Sequence, residues 1–314
     1  MKSILVTGGA GFIGSNLVEY LIDKHPEYKI VVVDSLTYAG DFENLDTVKK
    51  SKNFTFVNGN ICDRDLMERV FHHYIVHGVI HLAAESHVDN SITGPDIFIE
   101  TNVKGTFTLI DVAYKYWMEK PFKFKRGFEN SRFLHVSTDE VYGTLGATGL
   151  FTETTPYAPN SPYSASKASS DFLVRSYHHT YGMNVVTTNC SNNYGAYQYP
   201  EKLIPLIILN ALEGTPLPVY GSGKQVRDWL YVEDHIYAID LIFHKSKIGK
   251  TYNIGGNNEL RNIDLIRLLC GLLDELRPRE DGQPYSEQIS FVQDRPGHDL
   301  RYAIDASKIK NDLG

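Results

Sequence analysis

Short apolar runs alternate with longer amphipathic stretches through the first half of the chain. Residues 4–7, 30–34, 54–57, 79–83, 133–137 and 185–189 are brief and rich in β-branched or aromatic side chains. They read as strands. Between them lie helical patterns, from a glycine-rich turn to about residue 24, then near 64–76, 96–117 and 161–181. In the third, Phe98, Val103, Phe107, Ile110, Val112 and Tyr114 recur at helical spacing. Strands alternating with helices predict an α/β fold, a Rossmann-type doubly wound parallel sheet covered on both faces.

The pattern shortens after residue 190. Pro200, Pro205, Pro216 and Pro218 punctuate the chain. Strands are expected at 230–232, 252–254 and 289–292, and helices near 234–243 and 263–274. The sequence thus divides into a dinucleotide-binding domain, 1–190, and a smaller C-terminal α/β substrate lobe, 191–314, with crossings between the two. A length of 314 residues suits about two domains. The longest apolar stretch, 203–212, contains Pro205 and Asn210 and is far too short to span a bilayer. No membrane association is expected.

Composition narrows the partners. Apolar residues make up 42% and charged residues 22%, which excludes disorder or a simple coiled coil for the whole chain. The net charge is 31 − 38 = −7, so a nucleic-acid partner is not expected. An anionic ligand must be held by local charge. The cysteines, Cys62, Cys190 and Cys270, are widely spaced and form no CxxC pair. That argues against a disulfide framework and a structural zinc, and no metal is expected in the site. A reducing cytoplasm fits, and the N-terminus shows no signal-type apolar core.

The first strand runs into Thr7-Gly-Gly-Ala-Gly-Phe-Ile-Gly14. Gly8, Gly11 and Gly14, with Phe12 and Ile13 between them, let backbone N–H groups approach a pyrophosphate at a helix N-terminus. Asp34 follows 20 residues beyond Gly14, at the end of the second strand. A carboxylate there accepts from a ribose and repels a 2′-phosphate, which favours NAD over NADP. Asn60-Ile61 and Leu82-Ala83-Ala84 end further strands, where ligands of such folds lie.

Tyr163 and Lys167 open the fourth helix at i, i+4 and share a face. The ammonium is expected to lower the phenol pKa toward a working range. Thr138-Asp139-Glu140 ends the fifth strand. Acidic pairs in loops are usually solvated. Beside a hydride cofactor, however, burial can separate their pKa values into one acid and one base. Hydride transfer needs only the tyrosine and a hydroxyl. The extra pair points to a second reaction, elimination of water.

The motifs 7–14, LAAESHVD at 82–89, VSTDEVYG at 136–143, SPYSASK at 161–167, NCSNNYG at 189–195, YPEKLIP at 199–205, RDWLYV at 227–232, YNIGGN at 252–257 and DRPGHD at 294–299 span nearly the whole chain. In them the sequence resembles the extended short-chain dehydrogenase/reductase family, and within it the nucleotide-sugar 4,6-dehydratases. The resemblance implies NAD as a tightly held cofactor and dTDP-glucose as substrate. Tyr163, helped by Lys167 and Thr138, would deprotonate O4 as the C4 hydride leaves. Glu140 would take the C5 proton, and Asp139 would protonate the departing C6 hydroxyl. Further cofactor contacts implied are Ser35, Leu36, Thr37, Thr101 and Asn193. The implied substrate contacts are Ser86, Asn192, Glu201, Lys202, Leu203, Pro218, Tyr220, Arg227, Asn262, Arg295 and His298, besides Thr138.

A UDP-sugar 4-epimerase is the first alternative. It shares Tyr163 and Lys167 but lacks the acidic pair. A UDP-glucose 4,6-dehydratase is the second, because thymine and uracil differ by one methyl group, worth only about 1–3 kcal/mol. A catalytically silent NAD-binding regulator would be expected to lose a member of the set, and none is lost. The sequence departs from the family at Asn60 (usually Asp), Asn90 (often Arg) and Ala196 (often Pro). Relatives usually continue past Asp-Leu-Gly, so a shortened tail is expected at Gly314. A homodimer is expected by resemblance, through the helices at 96–117 and 161–181.

Overall fold

The computed structural model describes residues 2–314. The chain runs through β1 (Lys2–Thr7), α1 (Phe12–Lys24), β2 (Tyr28–Asp34), β3 (Phe54–Asn58), α2 (Arg64–Tyr74), β4 (Val76–His81) and the short helices α3 (Val88–Thr93) and α4 (Asp96–Phe98). A π-helical stretch, Ile99–Gly105, joins α4 to α5 (Thr106–Trp117). A hairpin of β5 (Met118–Lys120) and β6 (Lys123–Phe124) leads to β7 (Arg132–Thr138), α6 (Pro162–Tyr181) and β8 (Val185–Cys190). The remainder comprises β9 (Asn192–Tyr194), α7 (Leu203–Glu213), β10 (Leu217–Tyr220), β11 (Val226–Tyr231), α8 (Val232–Lys245), β12 (Thr251–Ile254), β13 (Glu259–Arg261), α9 (Asn262–Leu276), β14 (Ile289–Val292) and α10 (Ser307–Leu313).

Seven strands form one parallel sheet in the order β12-β8-β7-β4-β1-β2-β3. Alternate residues of each strand point to opposite faces. Ile4, Val6, Ile30 and Val32 pack toward α1 and α8, while Leu5, Val31 and Val33 pack toward the layer containing α2, α5 and α6. Both faces are therefore apolar, as a doubly covered parallel sheet requires. Strand order reverses between β1 and β4. The crevice beyond their carboxyl ends is where such sheets bind ligands.

The smaller layer joins β9, β11 and β13 in one sheet and β10 with β14 in another. Helices α7 and α9 cover them around Ile207, Leu217, Val219, Ile263 and Ile266. The two parts of the chain interlock. After β11 the chain returns as α8, which packs on α1, and as β12, which becomes the edge strand beside β8.

Several elements differ from the sequence reading. The second expected helix stops at Tyr74, because Ile75 turns left-handed (φ 52°) and Val76 opens β4. The expected helix at 96–117 contains the π-helical segment, a deviation that recurs at functional sites. The strand expected at 230–232 spans Val226–Tyr231, and Val232 opens α8. The apolar stretch at 203–212 is a helix despite Pro205. That proline lies in the first turn, where its missing N–H costs nothing.

Candidate active site

A cavity of about 360 Å³ lies over the carboxyl ends of β1, β2, β4, β7 and β8. Its floor is the glycine turn. Gly8 has φ 72°, and a Cβ there would sit 2.6 Å from the backbone nitrogen of Ala83. A Cβ on Gly14 would lie 2.0 Å from the Gly8 oxygen. Both positions therefore accept only glycine. A Cβ on Gly11 would meet nothing closer than 3.5 Å, so that side of the turn is open to a ligand. Gly11 caps α1 without a side-chain hydrogen bond, and the first turn carries no acidic residue. Its exposed N–H groups suit an anion.

Asp34 stands at the edge of this floor. Its Oδ2 accepts the Ala10 N–H at 2.9 Å and its Oδ1 accepts the Leu36 N–H at 2.8 Å. The carboxylate thus fixes the glycine turn as well as facing the cavity. Gly8, Gly11, Phe12, Ile13, Gly14, Asp34, Ser35, Thr37, Asn60, Ile61, Leu82, Ala83, Ala84, Thr101 and Asn193 all line the cavity. Leu36 does not. It adopts φ 49° and enters through its backbone bond to Asp34. Asn60, where the family usually has Asp, accepts the Cys62 N–H with its Oδ1 at 2.8 Å. Its amide N–H groups and the second lone pair of Oδ1 remain for a ligand. The donors and the open turn fit NAD.

The opposite wall belongs to α6 and the end of β7. Ser161 and Ser164 form a reciprocal capping box, with Pro162 in the first turn. This fixes the start of α6 firmly. Tyr163 and Lys167 are consequently buried side by side on the cavity wall. Lys167 Nζ donates to the Val136 carbonyl at 2.9 Å, which ties the helix to β7. Asn102, from the π-helical segment, donates to Ser166 Oγ at 2.8 Å and accepts the Glu85 N–H at 2.8 Å. It braces the same helix against the loop after β4.

The Thr138-Asp139-Glu140 triplet forms the turn after β7. Thr138 caps a 3₁₀ turn, Asp139–Tyr142, which ends at Gly143 with φ 86°. The two carboxyls have unequal surroundings. Burial, and then the Glu140 charge, push Asp139 well above the ordinary carboxylate range. Its Oδ2 is buried and has no hydrogen-bond partner among the described residues. Burial raises Glu140 too, but Arg295, Arg227 and Lys202 pull it back. Asp139 thereby holds its proton more tightly than an ordinary carboxyl, while three cations partly offset the same rise at Glu140.

Tyr163 departs from expectation. Burial and the Glu140 charge raise its pKa well above the usual phenol value, and the Thr138 side chain pulls it back. The ammonium of Lys167 does not dominate, because burial lowers Lys167 itself. The lowering expected from spacing alone fails because the helix face is dry and carboxyls surround it.

Ser86, Thr138, Asn192, Glu201 and Lys202 also line the cavity. Leu203, Pro218, Tyr220, Arg227, Asn262, Arg295 and His298 lie outside its wall, but several converge next to it. Lys202 Nζ donates to the Ser86 carbonyl at 3.1 Å. Arg295 Nη1 lies 3.3 Å from Asp89 Oδ1, and the Tyr220 hydroxyl is 3.4 Å from Asp89 Oδ2. Arg227 is buried, donates to the Asp299 carbonyl at 3.0 Å and stacks 4.2 Å over the Tyr302 ring. His298 Nδ1 meets Asp294 Oδ1 at 2.6 Å. Asn192 Oδ1, Asn262 Oδ1 and Arg295 Nε are buried and unpartnered among the described residues. Such atoms are costly unless a ligand or water completes them.

Sequence reasoning missed other wall residues, including Gly40, Glu85, Ile97, Ser137, Cys190, Gln198 and Tyr199. Ser137 and Glu85 sit inside recognised motifs. Gly40 carries no local signal, since its closeness to Asp34 arises only when the loop folds back, 3.0 Å from Oδ1 for a Cβ placed there.

The parallel sheet, its glycine turn and the Tyr163–Lys167 helix place the chain among enzymes of the short-chain dehydrogenase/reductase type. The family model described as GDP-mannose 4,6 dehydratase matches residues 5–314. A dTDP-glucose 4,6-dehydratase of Xanthomonas campestris is 57% identical over 314 residues, covering 100% of this chain and 88% of its own length. One from Escherichia coli is 56% identical, covering 99% and 87%. The crystal structure of DesIV, a dTDP-glucose 4,6-dehydratase of Streptomyces venezuelae with NAD and TDP bound, superposes with a TM-score of 0.89. It shares 45% identity and covers 99% of this chain and 91% of that one. A UDP-glucose 4-epimerase of Thermotoga maritima superposes at 0.84 with 30% identity, covering 99% and 92%. The chain belongs to the dTDP-glucose 4,6-dehydratase family.

Proposed function

We propose that the protein dehydrates dTDP-glucose to dTDP-4-keto-6-deoxy-glucose, with NAD held throughout and regenerated. It is a hydro-lyase. The observation that carries this reading is the placement of the Asp139–Glu140 pair on the cavity wall that also holds Tyr163. An epimerase shares the fold, so the fold does not separate the two chemistries.

NAD, when bound, supplies a site that accepts a hydride and later returns it. The protein's own groups move the protons. Tyr163 takes the proton of O4 as its phenolate, a form that burial disfavours in the protein alone and that Thr138, Lys167 and the positive charge of oxidised NAD would favour. Oxidation at C4 acidifies C5–H, and Glu140, where three cations oppose the rise that burial causes, removes that proton. Asp139, whose hold on its proton burial strengthens, gives that proton to the C6 oxygen, which leaves as water; C6 of the resulting enone then takes back the hydride and C5 regains a proton from Glu140, which gives the 6-deoxy sugar. Arg227, Arg295 and Lys202 hold the diphosphate against the negative charge of the chain. Residues up to about 190 carry most of the cofactor contacts and those beyond most of the nucleotide contacts, with Asn193, Ser86 and Thr138 crossing the division, and 232–254 pack in the main sheet.

The test is incubation with dTDP-glucose, reading the alkaline ultraviolet absorbance of a 4-keto-6-deoxy sugar. That absorbance is the expected result. A product epimerised at C4 that retains its 6-hydroxyl overturns the reading. A parallel run with UDP-glucose separates the thymine from the uracil enzyme.

We further propose a homodimer built on α5 and α6. Phe107 and Phe172 support it, since they are 41% and 57% exposed on these neighbouring helices. The three cysteines are unpaired. That fits a reducing compartment, and we propose the cytoplasm. Among the described residues no helix is long and apolar enough to cross a membrane.

A further inference from the structure

Residues 299–304 lie between β11 and the loop that follows the catalytic turn. On one side the Val226 N–H donates to the Leu300 carbonyl at 2.8 Å and the Tyr302 N–H donates to the Val226 carbonyl at 3.1 Å. On the other side the Leu145 N–H donates to the Arg301 carbonyl at 3.0 Å and the Phe151 N–H to the Ala303 carbonyl at 2.9 Å. The backbone is therefore pinned on both edges. Tyr302 is buried in a cluster with Val141, Tyr142 and Ala168. Val141 and Tyr142 follow Glu140, and Ala168 follows Lys167. One tyrosine thus packs on both segments that carry the proton-moving groups.

The same ring carries Arg227. The guanidinium carbon lies 4.2 Å over its centre. Nη1 donates to the Val226 carbonyl at 2.8 Å and Nη2 to the Asp299 carbonyl at 3.0 Å. These contacts are all to uncharged groups. The Asp299 carboxylate, though only one residue's backbone away, is engaged elsewhere. Its Oδ2 accepts the Tyr302 hydroxyl at 2.5 Å, and its Oδ1 accepts the Asn160 amide at 2.6 Å.

We propose that Asp299 and Tyr302 are positioning residues for Arg227, holding its guanidinium with a ring face and a carbonyl while the Asp299 carboxylate is kept off it, so that its charge stays available to the substrate diphosphate and to Glu140. The inference rests on the dehydratase reading for the identity of that substrate. A carboxylate paired with the guanidinium would fix it as firmly but would spend its charge. A ring face and carbonyls fix it without neutralising it. A buried cation held in this way is costly by itself, and an incoming anion relieves the cost. Burial and the Glu140 charge raise the Tyr302 phenol, so it remains a donor to Asp299. Glu140 faces Asp139 on its own turn, Tyr163 from α6, Arg227 from β11, Tyr302 and Asp299 from the pinned segment, and Lys202 and Arg295 from flanking loops. Removing the influence of Arg227 leaves two cations to oppose the rise at Glu140. Sequence reasoning missed Tyr302 because it lies three residues beyond the DRPGHD motif, and its meeting with Arg227 arises only from the pairing with β11.

The test compares the full chain, loaded with NAD, with Tyr302→Phe, which keeps the ring and its packing and loses only the hydroxyl. Asp299 Oδ2 is then released to pair with Arg227. The dissociation constant of dTDP and the KM for dTDP-glucose are expected to rise about tenfold, the scale of one charge-assisted contact. The ascending limb of C5 exchange with deuterium is expected to move to higher pH. Adding Asp299→Asn to Tyr302→Phe removes the released charge and is expected to recover most of both effects, which a merely structural loss would not do. Asn160→Ala, at an exposed position, releases Oδ1 instead and is expected to weaken dTDP in the same direction. Unchanged dTDP affinity in Tyr302→Phe and Asn160→Ala, or a double variant no better than Tyr302→Phe, overturns the proposal. A wild type that binds dTDP but makes no keto sugar overturns the dehydratase reading instead, and the dTDP affinities still decide the role of Tyr302.

Discussion

At the scale of residues, the consequential asymmetry is between Asp139 and Glu140. They are adjacent and burial raises both, but Asp139 rises further, while Arg295, Arg227 and Lys202 together offset part of the rise at Glu140. A carboxyl whose folded pKa is raised binds its proton more tightly in the folded state. Its contribution disfavours folding progressively as pH rises from the ordinary value near 3.9 to the raised one, and stays constant above that. Asp139→Asn replaces the carboxyl with a group that never ionises. The variant is expected to melt higher than the wild type at pH 8, with the advantage shrinking toward pH 4. A gain independent of pH, or a loss at pH 8, contradicts the assignment. The same variant is expected to lose about 10²–10⁴-fold in dehydration rate. Glu140→Gln is expected to slow exchange of the C5 hydrogen with solvent deuterium while NAD stays bound, and unchanged exchange rules Glu140 out as the base. Both pairs, Asp139–Glu140 and Tyr163–Lys167, are legible in the sequence because each is local. The direction of the Tyr163 shift is not legible, because it depends on burial and on Glu140 across the cavity. Nor is the placement of Arg227, which rests on Tyr302 and Asp299 far along the chain.

At the scale of elements, strands of the main sheet were legible wherever apolar runs reached four or more residues. Strands β9 and β13 escaped, being three residues each and defined by their pairing with β11. Helix α7 was obscured by Pro205, which reads as a breaker until its place in the first turn is known. Helices α5 and α6 were legible, but their outward faces were not, because periodicity alone does not say which apolar residues the sheet covers. Leu109, Ile110, Val112 and Val174 are buried against the sheet layer, whereas Phe107 and Phe172 are left exposed. If these faces join two copies, the native protein is expected to run in light scattering at twice 35.5 kDa. Phe172→Asp is expected to shift it toward a single chain, since a buried carboxylate without a partner is strongly disfavoured at an interface. A wild type that scatters as one chain at all concentrations removes the dimer.

At the scale of the whole molecule, the question is whether residues 1–190 constitute a structural domain or only a functional division. The return of the chain after β11 bears on this directly. Helix α8 supplies Ile236, Ala238, Ile239, Ile242 and Phe243 to the core that also holds Ile4, Val6, Leu17 and Val18. The Phe243 ring packs so closely on Gly78 that a Cβ there would lie 2.6 Å from its Cζ. Strand β12 adds Tyr252 and Ile254 and covers the open edge of β8. Arg132, at the start of β7, donates to the carbonyls of Ile242, Phe243 and Ser246 at 3.1, 2.8 and 2.8 Å. Cutting the chain at 190 removes all of these at once. Burial of one large apolar side chain contributes about 1.5–3 kcal/mol. Six such groups, Ile236, Ile239, Ile242, Phe243, Tyr252 and Ile254, therefore amount to roughly 10 kcal/mol, comparable with the whole stability of a domain. The cut also strips the partners of the half-buried Arg132 guanidinium and leaves an unpaired parallel strand, which invites aggregation. A fragment of residues 1–190 is expected to show no cooperative thermal transition and no NAD binding, while the full chain shows both. A fragment that melts sharply and binds NAD would make 190 a boundary of folding, and α8 with β12 an appendage to a core already complete.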